Sequence, residues 1–165
     1  MKIEPLDRDA RDALASLLVE TVAAGGSVSF MHPLAREAAL GFWDASLAAA
    51  ARDDRVILGA RDPELVGTLT LLLEMPPNQP HRAELAKMMT AVTRRGQGIA
   101  RALVIEAERI AIARGKRMIT LDTAEDEGAS GFYARLGYQH AGVLPDYAYK
   151  PHGGLTGTVL MYKRL

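Results

Sequence analysis

The sequence predicts a fold of the α/β class, in its α+β form, with about four helices set against a sheet. Three observations lead to it. The 165 residues are 48% hydrophobic, a length and composition that suit one domain with one core, spanning residues 1–165. Apolar side chains recur at helical spacing in four separate segments. Runs of β-forming residues lie before, between and after those segments.

In chain order, a short strand at Lys2 to Glu4 precedes a helix whose Leu14, Leu17, Leu18, Thr21 and Val22 share one face, with Gly25-Gly26 as its stop. Pro33 suits the first turn of a second helix, whose apolar stripe is Leu40, Trp43 and Leu47, with Glu37 and Asp44 at the edge. Gly25 to His32 joins the two as a flexible loop. Val56 to Ala60 and Leu65 to Leu73 read as an antiparallel hairpin turned by Arg61-Asp62-Pro63-Glu64. The proline-rich Met75 to Pro80 is a connection, because proline cannot donate to a ladder, and a strand follows from Arg82 to Thr90. From Gly98, the stripe Ile99, Leu103, Ala107 and Ile110 predicts a helix stopping at Gly115, and Arg117 to Thr123 resumes as a strand. Ala129, Phe132, Tyr133 and Leu136 form a short helix closed by Gly137, and Tyr138 to Val143 and Thr156 to Lys163 are the final strands.

Composition excludes several classes of function. Lysine plus arginine and aspartate plus glutamate each number 20, so no global field draws the chain to nucleic acid or to an anionic membrane. The absence of cysteine excludes disulfides, thiolate metal sites and a cysteine nucleophile. No apolar run is long enough to span a bilayer and no signal core opens the chain, so the expected location is the cytoplasm. His32, His81, His140 and His152 show no metal-ligand spacing, and no metal is expected. Ser27 and Ser130 lack the G-x-S-x-G frame of a nucleophile elbow.

The segment that carries chemistry is Arg95-Gly96-Gln97-Gly98-Ile99-Ala100-Arg101. A strand feeding such a loop and then a helix aims free N–H groups at one point, where the helix dipole also favours an anion. Gly96 and Gly98 let phosphate oxygens come close to the backbone. On these residues alone, a glycine-containing turn with solvated arginines explains the pattern as well. Two familiar phosphate loops fail: Arg101 stands where a dinucleotide fingerprint needs a small residue, and G-x-x-x-x-G-K-[ST] does not occur.

The spacing resembles the pyrophosphate motif [QR]-x-x-G-x-[GA] of the GNAT superfamily of N-acetyltransferases, with Arg95, Gly98 and Ala100 in the specified positions. Phe132-Tyr133-Ala134-Arg135-Leu136-Gly137-Tyr138 resembles that superfamily's fourth-helix signature. More narrowly, His81-Arg82-Ala83-Glu84, Lys87-Met88-Met89, Leu121-Asp122-Thr123 and Leu144-Pro145-Asp146-Tyr147 look like stretches of the tabtoxin resistance acetyltransferases.

The resemblance implies a mixed, mostly antiparallel central sheet, acetyl-CoA as cosubstrate and direct acetyl transfer to an amine. It implies that the loop from Arg95 to Arg101 holds the pyrophosphate and that the backbone of Met88, Met89 and Thr90 runs beside pantetheine; the side chains of Met88 and Met89 read as core packing. Tyr133 matches the general-acid position, although a tyrosine beside Phe132 on a short helix is otherwise core. Glu84 and Asp122 correspond to acidic positions suited to water-mediated base work, with surface solvation the plain alternative for Glu84. For Asp122, the apolar run Met118 to Leu121 just before it suggests a buried strand. The superfamily's frequent CoA-contacting asparagine falls at Asp126, a departure.

Acceptor choice falls to Gly25 to His32 and to Pro145 to Gly154, which carry Phe30, Tyr147 and Tyr149 outside the regular elements. The leading expectation is transfer to a small-molecule amine. A protein N-terminus or lysine is the second acceptor class, and a non-catalytic acyl-CoA-binding module is the reading from outside enzymes. Dimers are common among the proteins it resembles, so a homodimer is compatible with the resemblance.

Overall fold

The apolar face of Leu14, Leu17, Leu18 and Val22 is fully or nearly fully buried and forms α1 (Arg11–Ala23). The computed structural model describes all 165 residues, Met1–Leu165. α1 follows strand β1 (Lys2–Pro5) and packs against α2 (Arg36–Ala51), whose Trp43 is wholly buried. Arg11 on α1 and Asp44 on α2 form a two-pronged ion pair at the rim of this contact. Pro33 is not in the first turn of α2. Ala35 caps the helix with an extended backbone (ψ 140°), leaving Pro33 in the preceding bend.

Strands β2 (Arg55–Arg61), β3 (Leu65–Leu72) and β4 (Arg82–Thr90) follow, then α3 (Ile99–Ala113), β5 (Met118–Ala124), α4 (Ala129–Arg135), β6 (Gln139–Tyr149) and β7 (Leu155–Arg164). All seven strands form one sheet in the order β1-β2-β3-β4-β5-β7-β6. Only β4 and β5 run parallel, so the sheet is mixed and mostly antiparallel, as the resemblance implied. Alternation along β2 divides the core, since neighbouring strand residues face opposite sides of a sheet. Ile57 joins the α1–α2 cluster, while Leu58 and Ala60 join the α3–α4 cluster with Leu69, Leu71 and Leu103.

The last hairpin departs from expectation. β6 continues through Leu144-Pro145-Asp146-Tyr147 to Tyr149, so Tyr147 and Tyr149 lie on a regular strand and only Phe30 of the three aromatics is in a loop. β6 is an edge strand paired with β7 alone, and its register breaks between Leu144 and Ala148. That irregularity accepts Pro145, which has no N–H to donate. No helix is long and apolar enough to cross a membrane.

Candidate active site

Two backbone features open a cleft in the middle of the sheet. β4 and β5 pair only from Arg82 opposite Met118 to Glu84 opposite Thr120, and then part. On its other side, β4 pairs Ala86 with Thr70 and Met89 with Thr68, so Lys87 and Met88 together face Leu69 alone. This is a β-bulge, and Lys87 takes a positive φ of 52° within it. The gap holds a cavity of about 700 Å³, walled by β4 from Leu85 to Thr90, by β5 at Asp122 and Thr123, and by the starts of α3 and α4.

One end of the cleft is built for an anion. Between β4 and α3 the chain makes a short 3-10 turn, Val92–Arg94, and then the glycine loop. Gly96 and Gly98 have φ of 75° and 80°, and a Cβ at either would meet nothing within 4 Å. Conformation, not crowding within the protein, therefore calls for glycine here. The N–H groups of Gly96, Gln97, Gly98, Ile99 and Ala100 bond to no carbonyl, and they sit at the positive end of the 15-residue α3. Arg95 and Arg101 line the same end and make no ion pair within the protein, whereas Arg94 is held by Asp62 and Gln97. Gly67 on β3 lies beneath: a Cβ there would come within 2.7 Å of Ile99 and 3.1 Å of the Met89 carbonyl, so only glycine lets α3 start this close to the sheet.

The other wall carries the titratable groups. Tyr133 on α4 is 6% exposed and borders the cleft. Burial, with a further push from the Asp122 carboxylate, raises its phenol to about 12. Asp122 is open to the cleft instead of buried, because β5 has already left β4 at that point; Thr158 on β7 donates to its Oδ2 at 2.9 Å. Met89 is buried among core side chains, Met88 partly so, and the backbone of both and of Thr90 forms the cleft wall.

Three residues singled out from the sequence are placed elsewhere. Glu84 does not border the cleft; Arg82 Nη1 donates to its Oε2 at 3.0 Å and also bonds Thr120. Gln97 accepts from Arg94 on the outer side of the loop. Asp126 is bonded by Lys150 at 2.8 Å and by Thr156 at 2.9 Å, which ties the turn before α4 to the last hairpin.

Other cleft residues had not been singled out for their chemistry. Lys87 borders the cleft and donates to Ser29 at 2.9 Å. Glu127 accepts from the Ser27 N–H at 3.1 Å, strapping the Gly25–His32 loop to the turn before α4. Lysine in an apolar strand was the available signal, but the bulge that aims Lys87 is a tertiary feature. The same loop meets the turn between β6 and β7: His32 N–H bonds the Pro151 carbonyl, and the rings of His32 and His152 lie 4.5 Å apart. The two segments expected to select the acceptor are thus in contact with each other.

Comparison with known proteins fits this geometry. A ribosomal-protein-alanine N-acetyltransferase from Brucella melitensis superposes with a TM-score of 0.87 at 23% identity, covering 100% of both chains. The yncA protein of Salmonella typhimurium, solved with its cofactor acetyl-CoA, gives 0.80 at 15% identity over 99% of this chain and 93% of that one. An aminoglycoside 6'-N-acetyltransferase complexed with coenzyme A gives 0.75 at 23% identity over 99% and 97%. The profile of the acetyltransferase (GNAT) family matches residues 25–138, which include the bulge, the glycine loop, Asp122 and Tyr133. With that match over well more than half its length, the chain belongs to the GNAT family and is an N-acetyltransferase.

Proposed function

We propose that the protein binds acetyl-CoA in the central cleft and passes its acetyl group directly to the amine of a small molecule. One observation carries the reading: the free N–H groups of Gly96, Gly98, Ile99 and Ala100 and two unpaired arginines at the start of α3 border the same cleft as Tyr133 and Asp122. The fit rests on chemistry, since such a helix start is suited to a pyrophosphate and glycine leaves room for it. When bound, acetyl-CoA supplies the acetyl group as an activated thioester.

The residues of the chain then divide the work. The backbone of Met88 to Thr90 on β4, unpaired on its cleft side, offers hydrogen bonds along an extended ligand. Asp122, oriented by Thr158, takes a proton from the incoming ammonium through water, and is preferred to Glu84 because Arg82 occupies Glu84 outside the cleft. Tyr133 keeps its proton at neutral pH and directs it to a sulfur anion. Full transfer from a phenol at about 12 to a thiolate of ordinary pKa near 8.5 is uphill by about 5 kcal/mol, so the hydrogen bond supplies most of the help.

The Gly25–His32 loop and the β6–β7 turn hold each other through His32, Pro151 and His152, and two acceptor segments fastened together support a small amine over a protein N-terminus or lysine. Calorimetry with acetyl-CoA and CoA tests the cofactor assignment, and no binding of either at micromolar concentration would overturn it. Binding with no turnover on small amines or peptides would leave a non-catalytic acyl-CoA module. For the base, Asp122→Asn is expected to lower kcat/KM about a hundredfold, with Glu84→Gln close to wild type. The reverse ranking would move the role to Glu84.

A further inference from the structure

Of the cations that line the cleft, Arg95 and Arg101 belong to the anion site and Arg94 is paired with Asp62, which leaves Lys87 without a carboxylate partner or a part in the chemistry. The bulge in β4 turns its side chain toward the α1–α2 side, where the ammonium lies 5.8 Å from the centre of the Phe42 ring. Its one hydrogen bond goes to the Ser29 hydroxyl. An ammonium has three donors, so two remain free. The other four lysines are differently placed: Lys2, Lys150 and Lys163 pair with carboxylates, and Lys116 bonds two backbone carbonyls.

Leaving a half-buried charge without a counter-ion opposes folding unless something else repays it. Burial lowers the Lys87 ammonium from the usual lysine range, and the charges of Asp122 and Glu84 only partly oppose this. Ser29, on the loop expected to select the acceptor, supplies a second donor beside it. The acceptor side of the cleft is therefore bipolar, with Lys87 and Ser29 on one wall and Asp122 on another. Such a pair of walls matches a molecule that carries a carboxylate a short distance from its amine.

Building on the transferase reading above, we propose that the acceptor is an amino acid or a close analogue, whose carboxylate is bound by Lys87 and Ser29 while its amine faces Asp122. Lys87 is then a specificity residue and takes no part in acetyl transfer itself. A polycationic amine would leave Lys87 facing a like charge.

The test compares free α- and ω-amino acids with their carboxamides, which keep the amine and the shape and lose the charge. For wild type, kcat/KM is expected to favour the acid by about tenfold to a hundredfold, the range of one charge-assisted hydrogen bond, mainly through KM. Lys87→Met is expected to erase that preference while acetyl-CoA affinity by calorimetry stays unchanged, and Lys87→Arg to restore part of it. Should Lys87→Met not fold, Lys87→Gln replaces it. If no probe is acetylated, the same pairs are compared by their shift of Tm on the CoA-loaded protein, where only the acids are expected to stabilise. No acid preference in wild type, or one that survives in Lys87→Met, overturns the proposal and leaves the transferase reading intact. Failure to bind acetyl-CoA overturns the transferase reading instead.

Discussion

Tyr133→Phe is expected to lower kcat about a hundredfold or more while acetyl-CoA affinity changes by less than about threefold. The substitution removes one oxygen from a ring that stays packed against Phe132 and Tyr138, at centroid distances of 5.0 and 5.6 Å. The fold and the wall of the cleft are therefore retained, and the loss falls on the step in which sulfur becomes anionic. Steady-state kinetics beside calorimetry separate the two effects, and an unchanged kcat would remove Tyr133 from the mechanism.

The same variant has a signature in stability. The Tyr133 phenol is raised from the ordinary 10 to about 12, so the folded protein binds this proton more tightly than the unfolded chain does. The contribution is fully present below about pH 10 and is lost as pH rises through about 12. Wild type is therefore expected to lose more stability than Tyr133→Phe over that window, read as the difference in Tm between the two proteins at each pH.

Gly98→Asp is expected to weaken acetyl-CoA binding by at least about a hundredfold, with a much smaller change in Tm. Since a Cβ at Gly98 meets no protein atom, the folded chain has room for the side chain. That room is where the free N–H groups converge, so a carboxylate there both fills the anion site and repels an anion. The positive φ of 80° adds strain of about 1 kcal/mol, which a Gly98→Asn control shares without the charge. Calorimetry on both variants makes the comparison, and retained affinity in Gly98→Asp would place the cofactor elsewhere.

The helices and most strands were legible because their signals are local. Leu14 to Val22 and Ile99 to Ile110 show the helical period, and Gly115 and Gly137 take the positive φ expected of a helix stop. Boundaries failed where tertiary context decides: Pro145 reads as a break, but an irregular edge strand accommodates it. In the cleft, the glycine loop and Tyr133 were legible from motif spacing. The pairings that take Glu84 and Asp126 away from the cleft were not, since Arg82–Glu84 and Lys150–Asp126 depend on where side chains on a folded sheet point. The role of Lys87 was hidden for the same reason, because a bulge depends on the neighbouring strand and leaves no composition of its own.

The parting of β4 from β5 bears on how the protein responds to its own cosubstrate. Beyond Glu84 and Thr120 the two strands present unpaired edges to each other inside the sheet, a position where other proteins have a continuous ladder. A ligand that lies in this seam supplies the missing partners and fastens the half of the sheet bearing α1 and α2 to the half bearing the last hairpin. Its binding is then also a contribution to folding, about 2.7 kcal/mol at a hundred times the Kd. At that level of acetyl-CoA the small unfolded fraction of this enzyme would be about a hundredfold lower than without it.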